Sequence, residues 1–210
     1  MNKFGDLSCK EFLTELASAA PAPGGGGGAA MAGALAAALA SMVANLTIGK
    51  EKFAEREPEV KELLKQAEAE RVRLLQLADD DAAVFNSFMS CYKLPKTTDE
   101  EKAARTAAIR AAAKQAATVP LNIARSSFAV LKLADRLVVS GNPGVITDGA
   151  CSGLLARAAL RCAEYNVRIN LGLTKDEVWN AQAAADLKQL LADAEALETR
   201  LLAVTDKALQ

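Results

Sequence analysis

The chain contains no histidine in 210 residues. That excludes histidine-based triads and most zinc catalysis, so any acid–base step falls to Asp, Glu, Lys, Cys or Tyr. Aromatic residues make up only 4%, so the core must be Ala and Leu packed closely, as in helical bundles. Neither sign of charge dominates: 25 basic residues face 26 acidic ones, a net charge of -1. Nucleic acid as the main partner would call for a basic excess and is not expected. Cys9, Cys91, Cys151 and Cys162 lack CxxC spacing, so free thiols and a cytoplasmic location are the expectation. No metal-ligating cluster and no nucleotide motif are visible, so neither metal nor cofactor is expected. The first residues lack the continuous apolar run of a signal peptide. No stretch alternates with period two, so no strand is predicted.

What is present in excess is small residues. Pro21-Ala-Pro-Gly-Gly-Gly-Gly-Gly28 leads into an uncharged, Ala-rich run from Ala29 to Ile48. The run reads as a helix apolar all round, the kind that lies at the centre of a bundle or in a membrane. Ala, Gly, Ser41, Asn45 and Thr47 gain little from lipid, so a buried position in a soluble bundle is expected and a membrane span is not. The glycines are predicted to form a loop opening onto the helix N-terminus. There, backbone N–H groups meet the positive end of the helix dipole and form an anion site. The loop is neither a P-loop, since no Gly-Lys-Ser/Thr follows, nor a dinucleotide fingerprint, since no βαβ context surrounds it. A flexible linker between helices is the alternative; Pro21 and Pro23 stiffen the entry and favour a shaped loop. Gly49 is the expected stop of the central helix, followed by Lys50, which points to a pocket or into water.

The remaining chain reads as long helices. Ser8 with Glu11, Thr98 with Glu101, and Thr174 with Glu177 make three capping boxes. Pro58 opens a helix whose seam alternates spacings of four and three: Val60, Leu64, Ala67, Arg71, Leu74, Ala78, Asp81, Phe85, Phe88, Tyr92. Arg71 can snorkel out of that seam, but Asp81 cannot. A carboxylate among apolar side chains costs several kcal/mol unless paired, so it serves a site or half of a structural ion pair. Asp79 and Asp80, off the seam, are expected to be solvated. Pro120 should kink or restart the next helix near Thr118. Ser140-Gly-Asn-Pro-Gly144 is a turn, and Thr147 or Asp148 should cap the helix after it. The predicted fold is all-α: one domain over residues 1–210, a bundle of long helices around the Ala/Gly-rich one. The small-residue helix needs close neighbours, and the seam from Val60 to Tyr92 exceeds what one compact bundle covers, so a homodimer is expected.

Five motifs follow one another in order: Ala22-Pro-Gly-Gly-Gly, Met42-Val-Ala-Asn-Leu-Thr-Ile-Gly-Lys50, Asp81-Ala-Ala-Val-Phe, Asn142 with Thr147-Asp148, and Asn166-Val-Arg-Ile-Asn170. Together they resemble the cyclodeaminase/cyclohydrolase family, the cyclodeaminase domain of formiminotransferase-cyclodeaminase and its stand-alone bacterial relatives. The resemblance covers nearly the whole chain and implies an all-α, dimeric enzyme acting on one-carbon-substituted tetrahydrofolates. Two reactions are then open. The cyclohydrolase adds water to the 5,10-methenyl bridge to give 10-formyltetrahydrofolate; the cyclodeaminase closes the ring of a 5-formimino substrate and expels ammonia. The absence of a formiminotransferase domain favours a stand-alone enzyme and does not by itself choose between the two; cyclohydrolase is the expectation, with cyclodeaminase the alternative. Both reactions pass through a tetrahedral carbon and need a base and an acid. The resemblance implies Asp81 and Asp148 as the catalytic carboxylates. Asn45, Asn142 and Asn170 are implied for the pterin edge, and Lys50 or the Gly24, Gly25 and Gly26 N–H groups for the anionic glutamyl tail. Asp148 as a plain helix cap and Asn45 as a buried interhelical hydrogen bond are the structural alternatives. A non-catalytic helical scaffold is the alternative for the whole chain.

Overall fold

The computed structural model describes residues 3–210 and is helical throughout, with no strand among them. Six α-helices run in order: α1 (Cys9–Leu16), α2 (Gly24–Asn45), α3 (Glu57–Cys91), α4 (Asp99–Ser140), α5 (Ile146–Thr174) and α6 (Glu177–Ala208). Short 3-10 turns cover Phe4–Asp6, Glu51–Arg56 and Pro143–Val145. The all-α bundle built around the Ala/Gly-rich helix is the architecture observed.

α2 lies against α3, α4 and α5. Ala30, Ala36, Ala37, Ala40 and Ala44 are completely buried; with methyl side chains only, the neighbouring backbones come close. Ser152 shows how close, since its hydroxyl on α5 donates to the Ala36 carbonyl at 2.7 Å. α6 closes the far side through Leu187, Ala194 and Leu201. It is tied to α4 by the buried Asp135 carboxylate and Arg200, and to α5 by Arg157 and Glu198 at 3.3 Å.

The capping boxes at Ser8/Glu11 and Thr98/Glu101 form in full, each hydroxyl accepting the N3 N–H while the glutamate accepts from the cap. The third does not form. Thr174 ends α5, and Asp176 caps α6 by accepting the Trp179 N–H at 3.0 Å.

Several boundaries differ from the sequence reading. The glycines are not a loop: Gly24–Gly28 are the first turns of α2, which ends at Asn45 rather than Ile48. Gly24 enters with φ +57°, a conformation glycine alone adopts cheaply. α4 runs unbroken through Pro120. Proline removes the N–H that would reach the Ala116 carbonyl, and the Asn170 amide of α5 takes its place, donating to Ala116 at 2.9 Å. Neither Thr147 nor Asp148 caps α5. The helix begins at Ile146, after a turn capped by Asn142, and Asp148 lies in its first turn. Asp79 is not free in solvent: it accepts the Phe4 N–H at 2.7 Å and pins the N-terminal turn to α3.

Candidate functional site

Asp81 sits in the C-terminal third of α3, facing the first turns of α2. A Cβ on Gly26 would overlap its carboxylate, and one on Gly25 would lie 3.5 Å from the Asn166 amide. The glycines therefore let the carboxylate and the Asn166 amide lie directly against the start of a helix. Burial pushes the Asp81 carboxyl up from 3.8 to about 6, and the Gly27 N–H offsets this only in part. The carboxylate has no cationic partner among the described residues, so it is not half of an ion pair.

Asp81 opens into a cavity of about 320 Å³ at the head of α2. Phe85 and Phe88 of α3, Ala116 and Pro120 of α4, and Ile169 and Leu173 of α5 give it apolar walls. Asn166 and Asn170 supply its polar edge. The Asn170 amide nitrogen donates to the Ala116 and Asn166 carbonyls at 2.9 and 2.8 Å. The Asn166 amide nitrogen donates to the Cys162 carbonyl at 2.9 Å. The main chain thus holds both amide N–H groups of Asn170 and one of Asn166, and the two amide oxygens remain as acceptors. The pocket thus combines a proton-accepting carboxylate, two amide oxygens and apolar walls. That set suits a planar, polar-edged heterocycle.

The predicted site residues fall into two groups. Asp81, Gly24, Gly25, Gly26 and Asn170 gather at the head of α2; Asn45, Lys50, Asn142 and Asp148 lie at its other end. α5 runs antiparallel to α2, with Asn166 beside Gly25 and Ser152 beside Ala36. Asp148 is eighteen residues before Asn166 on the same helix, about 27 Å at 1.5 Å per residue. Within one chain it does not meet Asp81. Asn142 is bound into the fold: its amide donates to the Leu46 carbonyl at 3.1 Å, its Oδ1 accepts the Gly144 N–H at 3.0 Å, and its N–H donates to the Thr47 hydroxyl at 2.8 Å. Lys50 is exposed and begins the Glu51–Arg56 turn.

Asn45 is exposed, not a buried interhelical bond. It lines a shallow groove with Ser41, Met42, Leu46, Glu68 and Arg71. Arg71 grips Glu68, their closest approach being 2.6 Å. Arg71 first, and Ser41 second, hold the Glu68 carboxyl below the usual range. Ser41 is only 4% exposed, yet its hydroxyl completes no hydrogen bond of normal geometry. Asn166 belongs to a sequence motif that by itself gives it no role. The signal for it was its spacing of four from Asn170, which places both amides on one helical face.

The family profile of formiminotransferase-cyclodeaminase matches residues 8–189. A methenyltetrahydrofolate cyclohydrolase of Methylorubrum extorquens is 45% identical over 197 residues, covering 94% of this chain and 95% of that protein. A formimidoyltransferase-cyclodeaminase of Rattus norvegicus is 33% identical over 189 residues, 90% of this chain but 35% of that longer protein. The crystal structure of a formiminotetrahydrofolate cyclodeaminase from Thermotoga maritima superposes with a TM-score of 0.88 at 30% identity, covering 98% of both chains. The chain belongs to the formiminotransferase-cyclodeaminase family.

Proposed function

We propose that this protein is a methenyltetrahydrofolate cyclohydrolase, an enzyme that hydrolyses the 5,10-methenyl bridge to 10-formyltetrahydrofolate. The relative at 45% identity, matched over nearly its full length, bears that name. The observation that carries the chemistry is Asp81, a half-buried carboxylate without a counter-ion at the mouth of an apolar cavity. A cationic methenyl bridge supplies the missing positive charge. Asp81 stabilises that cation electrostatically, takes the proton of the attacking water as the tetrahedral carbon forms, and returns it to N5 as the C–N5 bond breaks, while the new hydroxyl loses its proton to solvent and becomes the formyl carbonyl on N10. A pKa of about 6 leaves it mostly ionised near neutrality yet basic enough to accept a proton. The Asn166 and Asn170 oxygens accept from the N–H edge of the pterin, and Phe85 and Phe88 cover its faces. The protein works as a cytoplasmic homodimer without metal or cofactor.

The decisive assay follows loss of methenyltetrahydrofolate absorbance, with Asp81→Asn beside the wild type. Absence of turnover by the wild type removes this reading. The Thermotoga cyclodeaminase, at 0.88 TM-score, favours a second reaction at the same site, ring closure of 5-formiminotetrahydrofolate with release of ammonia. Ammonia produced from that substrate, with no hydrolysis of the methenyl compound, would replace the first reading by the second.

A further inference from the structure

A methenyltetrahydrofolate carries opposite charges at its two ends: the cationic bridge at one, the carboxylates of the glutamyl tail at the other, with an aryl amide between them. The cavity at the head of α2 answers only part of this. Asp81 faces the bridge, and no lysine or arginine is among the residues that line the cavity. Lys50, expected to hold the tail, stands beyond the opposite end of α2. The tail needs a cation on the side where the cavity opens along α3.

The wall formed by Asp81, Phe85 and Phe88 continues to Tyr92 at the same helical spacing, so the four residues share one face of α3. The Tyr92 ring stands edge-on to Phe88, with centroids 5.3 Å apart. Arg105 of α4 comes next. Its guanidinium lies 5.6 Å from the centre of the Tyr92 ring, and its Nη2 donates to the Tyr92 carbonyl at 3.2 Å. On α4, Ile109, Ala112, Ala116 and Pro120 follow Arg105 on one face, and the last two line the cavity. Arg105, Ile109, Ala112 and Ala116 are all half-buried, as the floor of a groove would be. From Asp81 to Tyr92 the groove runs eleven residues of α3, about 16 Å. Arg105 has no carboxylate partner among the described residues. Glu101, one turn before it, is taken up by the Thr97 and Thr98 N–H groups at 2.7 and 3.1 Å. The Arg105 Nε is shielded from solvent and bonded to nothing.

We infer that Arg105 binds a carboxylate of the substrate's glutamyl tail, with the aryl ring lying along Phe88 and Tyr92 between it and Asp81. This rests on the folate reading above and names the residue that makes the site discriminate for a glutamylated substrate. The groove presents a carboxylate, an aromatic strip and a guanidinium in that order, the complement of a cation, an arene and a carboxylate. Arginine suits the far end because its planar fork stacks on Tyr92 and still donates to both oxygens of a carboxylate. The bond to the Tyr92 carbonyl holds the fork in place before substrate arrives, which lowers the entropy lost on binding.

Substrates with and without the tail test it. For the wild type, 5,10-methenyltetrahydropteroate, which lacks the glutamate, is expected to show a KM about tenfold above that of 5,10-methenyltetrahydrofolate at similar kcat. Arg105→Gln is expected to raise KM for the glutamylated substrate by about the same factor, with kcat within about twofold of the wild type. On the pteroate, which offers Arg105 nothing to hold, the variant and the wild type should differ by less than about twofold, and that turnover also shows that the variant folds. Arg105→Lys keeps the charge without the fork and should fall between the two. Equal losses on both substrates in Arg105→Gln would mean a structural role and overturn the inference, as would a wild type indifferent to the tail. If the wild type turns over neither methenyl compound, the hydrolysis reading fails by itself, and calorimetric titration with tetrahydrofolate and tetrahydropteroate decides the rest. Tighter binding of tetrahydrofolate that Arg105→Gln abolishes upholds the inference; equal binding of the two, or none, overturns it.

Discussion

The two ends of α2 are built on opposite principles. At its head, five consecutive glycines open space, and what comes close is a carboxylate with no cationic partner among the described residues. At its tail, side chains of ordinary size close the space: Thr47 donates to the Val43 carbonyl at 2.7 Å and receives the Asn142 N–H, and Asn142 ties off Leu46 and Gly144. Glycine in a helix costs up to about 1 kcal/mol relative to alanine, so the head is the weaker end by construction. Stability is concentrated where the polar groups are satisfied, and reactivity where one of them is left wanting.

The strongest test of that contrast is Asp81→Asn. The amide still accepts the Gly27 N–H but cannot take a proton, so kcat is expected to fall by about 10³-fold. The same change should stabilise the fold. Asp81 titrates near 6 in the folded protein and near 3.8 otherwise. A raised carboxyl contributes its full stability only below about pH 4 and loses it as pH climbs through 6, a difference of up to about 3 kcal/mol. Denaturant midpoints at pH 7.5 should therefore rise in the variant, with the gain vanishing at pH 4. A variant that loses both activity and stability would mean the head is braced like the tail.

Gly26→Ala comes next. Its methyl group has no room beside the Asp81 carboxylate, which must move, and kcat is expected to fall by about 10²-fold. The wild-type pH profile sharpens the same point: kcat/KM should rise through about 6 and level off above it, and in Asp81→Asn that limb should vanish. At the tail, Asn142→Ala leaves the Leu46 carbonyl and the Gly144 N–H unpaired. A loss of about 1–2 kcal/mol in urea unfolding is expected. The smallest effect belongs to Ser8→Ala, which removes one exposed cap from α1 and should cost about 1 kcal/mol or less.

Most of the architecture was legible because it rests on local chemistry. Capping boxes at Ser8 and Thr98, the apolar run after the glycines and the seam containing Asp81 are all patterns within a few turns of chain. Errors came where a distant contact overrides local preference. Gly24–Gly28 read as a loop because glycine is a poor helix former. Tertiary packing makes them helical, since only a bare backbone fits against Asp81. Pro120 read as a break because the partner of the Ala116 carbonyl is fifty-four residues away. The Thr174/Glu177 pair fits a capping pattern, but Asp176 lies nearer the first turn and captures the N–H groups. Of the candidate site, Asp81 stood out as a charge in an apolar stripe, and Asn170 came from a family motif. That Asp148, Asn45 and Lys50 lie at the opposite pole was not legible, because order along the chain says nothing about which end of an antiparallel pair a residue occupies.

Pro120 has a consequence beyond helix geometry. The carbonyl it strands on Ala116 is the mooring for Asn170, and through Asn170 for one edge of the cavity. Restoring an ordinary residue there would hand that oxygen back to its own helix and leave the amide held only by its own helix, through the Asn166 carbonyl. A repair that heals the rod would blunt the tool it holds, so the defect itself belongs to the machinery.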